Sequence, residues 1–285
     1  MDLSKAAHGM NWGLHQRVGS GYKIGLTTHG GDFERINSAD EIADEIVIKF
    51  GNNFDSSWIH PHAIPHGNWY FWDNPEIPQL LNPNPANPRG LKTFVRLPRG
   101  LFTTQQNSQP DTSRLDAVLN NLAPGTTVEN LVRPVPVRTK NTRKVLLCPS
   151  SAPNYRYYYG TTRADWLHRW QTWLDHNGFE AVIRTKPDRT RRTREPESRL
   201  YDHLLLNDYF CTISQHSVAA VESIMAGTPA VVTGPHPAGY LATDQKEFVL
   251  GHLRIPDPVE VWAWIQRLAS NTYHKQEIFQ GNWRR

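Results

Sequence analysis

A chain of 285 residues, 38% hydrophobic and 20% charged, carries enough apolar material for one large domain or two modest ones. No run approaches the roughly 20 apolar residues of a membrane helix, and residues 1–10, with Asp2, Lys5 and His8, lack the apolar stretch of a signal peptide. The net charge of +4 is local: residues 184–199 hold seven basic side chains (Arg184, Lys186, Arg189, Arg191, Arg192, Arg194, Arg199) against Asp188, Glu195 and Glu197, and the rest of the chain is neutral, so one segment makes a field that attracts phosphates unless it is simply a solvated loop.

In the first half, residues 12–25 and 38–44 are read as helices and 45–50 (Glu-Ile-Val-Ile-Lys-Phe) as a strand. Residues 73–100 are rich in Pro and Asn and read as irregular, with a short strand at 94–97; residues 113–122 look helical. Residues 130–142, with Pro134 and Pro136, are the expected linker between an N-terminal domain over 1–140 and a C-terminal domain over 141–285.

The second half is more regular. Lys144–Cys148 is a short apolar run, hence a buried strand. Residues 164–177 carry Trp166, Trp170, Trp173 and Leu174 at spacings of three and four, a helix closed by Gly178. Strands are expected at 179–184, 209–213 and 229–233, with helices at 198–206 and 217–226 between them; Asp257 and Pro258 open a last helix as N-cap and first residue. Alternating strands and helices imply an α/β fold with a parallel sheet, whose ligand lies beyond the carboxyl ends of the strands. The loops to watch are therefore 149–162, 185–198, 214–217 and 234–247. Cys148 and Cys211 sit in apolar strands, where buried reduced thiols and a reducing compartment, the cytoplasm, are expected.

The segment 211–234 (Cys-Thr-Ile-Ser-Gln-His-Ser-Val-Ala-Ala-Val-Glu-Ser-Ile-Met-Ala-Gly-Thr-Pro-Ala-Val-Val-Thr-Gly) holds the chemistry. A strand ends in the polar loop Ser214-Gln-His216-Ser217, and a helix starts there with its N–H groups toward a ligand, an arrangement suited to anions. Ser214 and Ser217 are placed to cap the helix or bind phosphate oxygens, and the Glu222 carboxylate to accept hydrogen bonds from vicinal hydroxyls. Without a ligand, the same residues make a plain capped αβ unit.

The order Ser217…Glu222…Gly227-x-Pro229 before an apolar strand resembles the donor-binding motif of GT-B glycosyltransferases and related epimerases, and is especially similar to capsule-polysaccharide-type transferases; Arg184-Thr-Lys186-Pro187 matches their Arg-x-Lys-Pro strand end. The resemblance spans residues 145–234 and implies two compact Rossmann-like domains. It implies that Arg184 and Lys186 neutralise a donor diphosphate, that His216, Ser217 and the helix start hold phosphate, and that Glu222 holds a ribose. A UDP-sugar co-substrate with no metal is then expected. The chain departs from the pattern in its short N-terminal half and in Asp188, where a His is usual.

Inverting transfer needs a general base. Asp55, just past the strand ending at Phe50, is the first choice and Asp32 the second, although either carboxylate also suits a turn. His60, His62 and His66, near Asp73, lack a second ligand pair and sit among prolines, against a zinc site. Two aromatic clusters, Trp58 with Trp69–Trp72 and Tyr155 with Tyr157, Tyr158 and Tyr159, either stack on sugars and bases or cover loops. A basic loop beside aromatics suits a polyanionic acceptor, and small bacteriophage DNA-modifying glycosyltransferases resemble the chain in size and arginine content. Arg189, Arg191, Arg192 and Arg194 would then touch DNA phosphates while a hydroxymethylated base is flipped outward. A saccharide or lipid-linked acceptor, a sugar-nucleotide epimerase and a non-enzymatic DNA-binding protein are the competing readings.

Overall fold

The computed structural model describes residues 5–9, 32–35, 46–50, 69–72, 94–96, 110–122, 125, 142–150, 152, 155, 160–185, 200–234, 236–274 and 277. The chain groups into two compact units, one of Met1–Pro75, Arg89–Gln105 and Asn271–Arg285, the other of Glu76–Pro88 and Gln106–Ser270. The chain thus passes between the units several times.

In the first unit β1 (Lys5–Gly9), β2 (Asp32–Arg35), β3 (Ile46–Phe50) and β4 (Trp69–Trp72) form one parallel sheet in the order β2-β1-β3-β4. β5 (Phe94–Arg96) pairs antiparallel with a strand formed by Thr272–His274, so the end of the chain returns to this unit. The strand expected at 45–50 is present as β3. The aromatic run 69–72, read as either a stacking surface or loop cover, is itself a strand, in keeping with the β preference of Trp, Tyr and Phe. The helices expected at 12–25 and 38–44 lie outside the described residues.

The second unit opens with α1 (Thr112–Leu122), whose buried Leu115, Val118 and Leu119 mark the face packed on the last helix. β6 (Lys144–Cys148) follows, then α2 (Arg163–His176), β7 (Glu180–Ile183), α3 (Leu200–Leu206), β8 (Cys211–Ser214), α4 (Ala219–Met225), β9 (Ala230–Val232), β10 (Thr243–Asp244), α5 (Gln245–Val249) and α6 (Pro258–Ser270); β11 is Thr272–His274. The sheet is parallel throughout, in the order β10-β9-β8-β6-β7. β6 and β9 are near-continuous apolar runs because both of their faces are covered, β8 (Cys-Thr-Ile-Ser) is fully buried although half of its residues are polar, and β7 is a half-exposed edge. Successive strands are laid down on opposite sides of β6, so the order reverses between β6 and β8, and such a reversal opens a crevice at the carboxyl edge.

α2 starts in a capping box, with Asp165 N–H donating to Thr162 Oγ1 at 3.1 Å and Thr162 N–H to Asp165 Oδ2 at 3.2 Å. Its Trp166, Trp170 and Leu174 pack on Val145, Leu147, Cys211, Ile213 and Val231 of the sheet and on Phe248 of α5. It ends in a Schellman motif: Gly178 adopts φ +71°, Phe179 N–H reaches Leu174 O at 2.9 Å and Gly178 N–H reaches Asp175 O at 3.0 Å. α6 begins as expected, Val259 N–H donating to Asp257 Oδ1 at 2.7 Å behind Pro258. Its Val261, Trp264, Ile265 and Leu268 are buried in the same unit as α1. Among the described residues no helix is long and apolar enough to cross a membrane.

Candidate functional site at the carboxyl edge of β6 and β8

Register pairs Cys148 with Ser214, so the last residues of β6 and β8 stand side by side at the switch point. Arg184 follows the end of β7, its N–H donating to Leu147 O at 3.0 Å, and Glu222 projects from α4. Both charges act on the Cys148 thiol: burial, then the Glu222 carboxylate, push its pKa up to about 12, while the Arg184 guanidinium opposes them. Arg184, Ser214, His216, Ser217 and Glu222, chosen in the sequence for one site, are therefore gathered at one end of one sheet. Lys186, Arg189, Arg191, Arg192, Arg194, Asp55, His60, His62 and His66 lie outside the described residues. Asp32 is the first residue of β2, in register with Lys5, and so stands at the amino edge of its sheet rather than at the carboxyl edge where such sheets bind ligands.

The helix after β8 starts at Ala219, two residues later than expected, with Val218 as a cap that makes no side-chain hydrogen bond. Ser217 does the capping from one position further out: its Oγ accepts Ala219 N–H at 3.3 Å and its carbonyl accepts Ala220 N–H at 3.3 Å. The His216 N–H donates to Ser150 Oγ at 2.9 Å. Ser214 Oγ is fully buried and has no hydrogen-bond partner, as is Gln215 Oε1, two polar groups whose burial costs free energy unless something pairs with them. Glu222 is half-buried, and its Oε2 accepts Tyr201 N–H at 2.9 Å, so it also caps the start of α3.

Ser150, missed in the sequence, ties the loop after β6 to the loop after β8, and its N–H donates to Tyr155 Oη at 2.9 Å. Tyr155 is fully buried against Trp166, ring centroids 5.6 Å apart, and burial pushes its phenol up to about 12. It is therefore core and not a stacking platform; Tyr157, Tyr158 and Tyr159 lie outside the described residues. Trp166 Nε1–H donates to Thr233 Oγ1 at 3.0 Å and anchors the end of β9. His236, in the loop after β9, reaches Ser217 O at 2.7 Å. The sequence signal for Ser150 and His236 was only their place after a strand. On the α3 side, His203 Nε2 lies 2.8 Å from Tyr209 Oη; burial, then Arg184, hold its pKa below 6.5. No group of three or more His, Cys, Asp or Glu suited to a metal occurs among the described residues.

The second unit is thus an open, parallel α/β sheet with polar and charged residues collected at its switch point, the architecture that binds ligands in that crevice. The solved structure of Thermosulfurimonas dismutans KpsC, a beta Kdo 2,7 transferase, is similar in fold: it aligns over 99% of this chain and 100% of its own at 14% identity with a TM-score of 0.51. The KpsC beta Kdo 2,4 transferase of the same organism aligns over 92% of this chain and 90% of its own at 14% identity with a TM-score of 0.47. No family model matches the chain, and no curated protein sequence matches it.

Proposed function

We propose that this protein is a glycosyltransferase that binds a nucleotide sugar, a UDP-sugar, at the carboxyl edge of the second sheet and transfers the sugar to a hydroxyl acceptor. The observation that carries the reading is the gathering of Arg184, Ser214, His216, Ser217 and Glu222 around the ends of β6 and β8. Arg184, with Lys186, neutralises the diphosphate, Ser217 Oγ donates to its oxygens beside Ser214, and Glu222 accepts from the ribose hydroxyls, since a carboxylate has lone pairs for several donors besides the Tyr201 N–H. Positive charge from arginine and lysine stabilises the leaving diphosphate without requiring a metal. The general base that takes the acceptor's proton is assigned to Asp55, which follows the carboxyl end of β3 in the chain, in preference to Asp32 at the amino edge.

For the acceptor we propose a hydroxymethylated base in DNA, with Arg189, Arg191, Arg192 and Arg194 on backbone phosphates. The fold likeness to a Kdo transferase favours a second reading, a saccharide acceptor. The deciding experiment for the donor is thermal unfolding with millimolar UDP, GDP, CMP or ADP. A ligand bound only by the folded chain adds about 2.7 kcal/mol of stability at a hundred times its dissociation constant. A rise with UDP supports the proposal, a rise with another nucleotide alone replaces the donor, and no rise with any removes the transferase reading.

A further inference from the structure

We propose that His236 is a positioning residue that holds the turn between β8 and α4 in its ligand-binding shape, an inference that rests on the nucleotide-sugar site proposed above. The His236 ring is 3% exposed and engaged at both nitrogens. Nδ1 lies 3.0 Å from Ala238 N, and a backbone N–H can only donate, so Nδ1 carries a lone pair. The ring proton is then on Nε2, which donates to the carbonyl of Ser217 at 2.7 Å.

That contact is shorter than either bond Ser217 makes to the start of α4, Ala219 N–H to Ser217 Oγ and Ala220 N–H to Ser217 O, both at 3.3 Å. The turn needs support from outside because Val218, at its cap position, has no side chain able to hold an N–H. His236 is itself anchored: Gly239 N–H donates to its carbonyl at 2.8 Å, Ala242 N–H to Ala238 O at 2.8 Å, and Trp264 Nε1–H of α6 to Pro237 O at 3.0 Å. On its other side the turn is held through His216 N–H by Ser150 Oγ. Residues 216 and 217 are thus gripped from the loops after β6 and β9, the two strands on either side of β8. A preorganised turn spends less binding free energy on ordering itself around an anion.

The two ring contacts can be separated in the full-length protein. In His236→Gln the amide nitrogen takes the place of Nε2 and can still donate to Ser217 O. In His236→Asn the amide oxygen takes the place of Nδ1 and can still accept from Ala238, but nothing reaches Ser217. Hydrogen exchange of amides 216–221 in the unliganded protein, and UDP affinity by calorimetry, are measured for both variants and for His236→Ala. The Gln variant is expected to behave like the wild type. The Asn and Ala variants are expected to exchange about tenfold faster at 216–221, with α6 unchanged, and to bind UDP about tenfold more weakly. Unchanged exchange in the Asn variant, or a Gln variant as impaired as Ala, overturns the proposal. If the wild type does not bind UDP, the donor reading fails by itself, and the exchange comparison still decides the role of His236. If the Ala variant does not fold, the Gln and Asn pair decides it.

Discussion

Oε2 of Glu222 accepts the backbone N–H of Tyr201 at 2.9 Å, so the carboxylate assigned to a ribose also caps the helix that follows the basic segment. Structural and ligand-binding roles fall on one side chain, and a loss of binding after truncation would by itself be ambiguous. Glu222→Gln resolves this, because the amide oxygen can still accept from Tyr201 while the charge and one acceptor are lost. Glu222→Ala is expected to cost about 1 kcal/mol of stability, as loss of a helix cap does, and to abolish the UDP-induced rise in unfolding temperature. Glu222→Gln is expected to keep the stability and lose most of the rise. Equal nucleotide affinity in wild type and Gln variant would remove Glu222 from the donor site.

Buried polar pairs tie the helices to the second sheet at both ends of β9. Trp166 Nε1–H donates to Thr233 Oγ1 at 3.0 Å, and Thr212 Oγ1–H donates to Ser223 Oγ at 2.8 Å, which passes a hydrogen bond to Thr228 O at 2.9 Å. Thr233→Val keeps the shape but leaves the indole N–H buried without an acceptor, a cost of about 1–3 kcal/mol. Ser223→Ala strands two groups and is expected to cost as much, whereas adding Thr212→Val to it recovers part of the loss, because two matched apolar groups replace one orphan. Urea midpoints check the order. A double variant less stable than the sum of the singles would contradict the relay.

How much of this was legible follows from how locally each feature is determined. β6 could be read because four consecutive apolar residues are buried on both faces, and α2 because its tryptophans recur at helical spacing between a capping box and Gly178. β1 could not be read. Its Lys-Ala-Ala-His-Gly has no β-branched residue, and it is a strand through its parallel pairing with β2 and β3, which begin twenty-seven and forty-one residues further along. β11 is missed for the same reason, since its partner β5 lies far back in the chain. Arg184, Ser214, His216, Ser217 and Glu222 were singled out through their order along the chain. The Tyr201 contact of Glu222 and the His236 contact of Ser217 are tertiary and leave no periodicity to detect.

The two thiols make a chemical check on the core. Burial pushes Cys211 far above the ordinary thiol range and Cys148 up to about 12, so near neutral pH neither forms the nucleophilic thiolate. Both are expected to be inert to a disulfide reagent in the folded protein and to react fully in denaturant. Rapid reaction of Cys148 without denaturant would mean that the end of β6 is open to solvent.

His203 gives the second unit an acid sensitivity whose sign follows from its surroundings. Burial first, and the Arg184 charge second, hold its folded pKa below 6.5, so the unfolded chain takes up the proton more readily. The stabilising contribution is complete above 6.5 and is lost as pH falls through the lowered folded value. Urea midpoints are expected to drop as pH falls below 6.5, and to drop less in His203→Gln. Arg184→Ala, which removes the second cause, is expected to reduce the drop as well. The same pH dependence in wild type and His203→Gln would assign the effect elsewhere.

The acceptor is decided by salt. Each phosphate neutralised on duplex DNA contributes about −0.9 to the slope of log affinity against log salt concentration. If Arg189, Arg191, Arg192 and Arg194 each contact one phosphate, replacing all four with Ala should flatten that slope by about 3–4 units and weaken binding to any duplex by a similar factor, since phosphates carry no sequence information. UDP affinity should stay unchanged, because these arginines lie beyond Arg184 and Lys186, the pair proposed for the donor, in the chain. Duplex carrying hydroxymethylated bases should then accept sugar from the wild type and fail to do so at high salt, where encounter is lost before chemistry is. No duplex binding by the wild type even at low salt would remove DNA as the acceptor. With UDP still bound, a saccharide hydroxyl would remain as the group attacked.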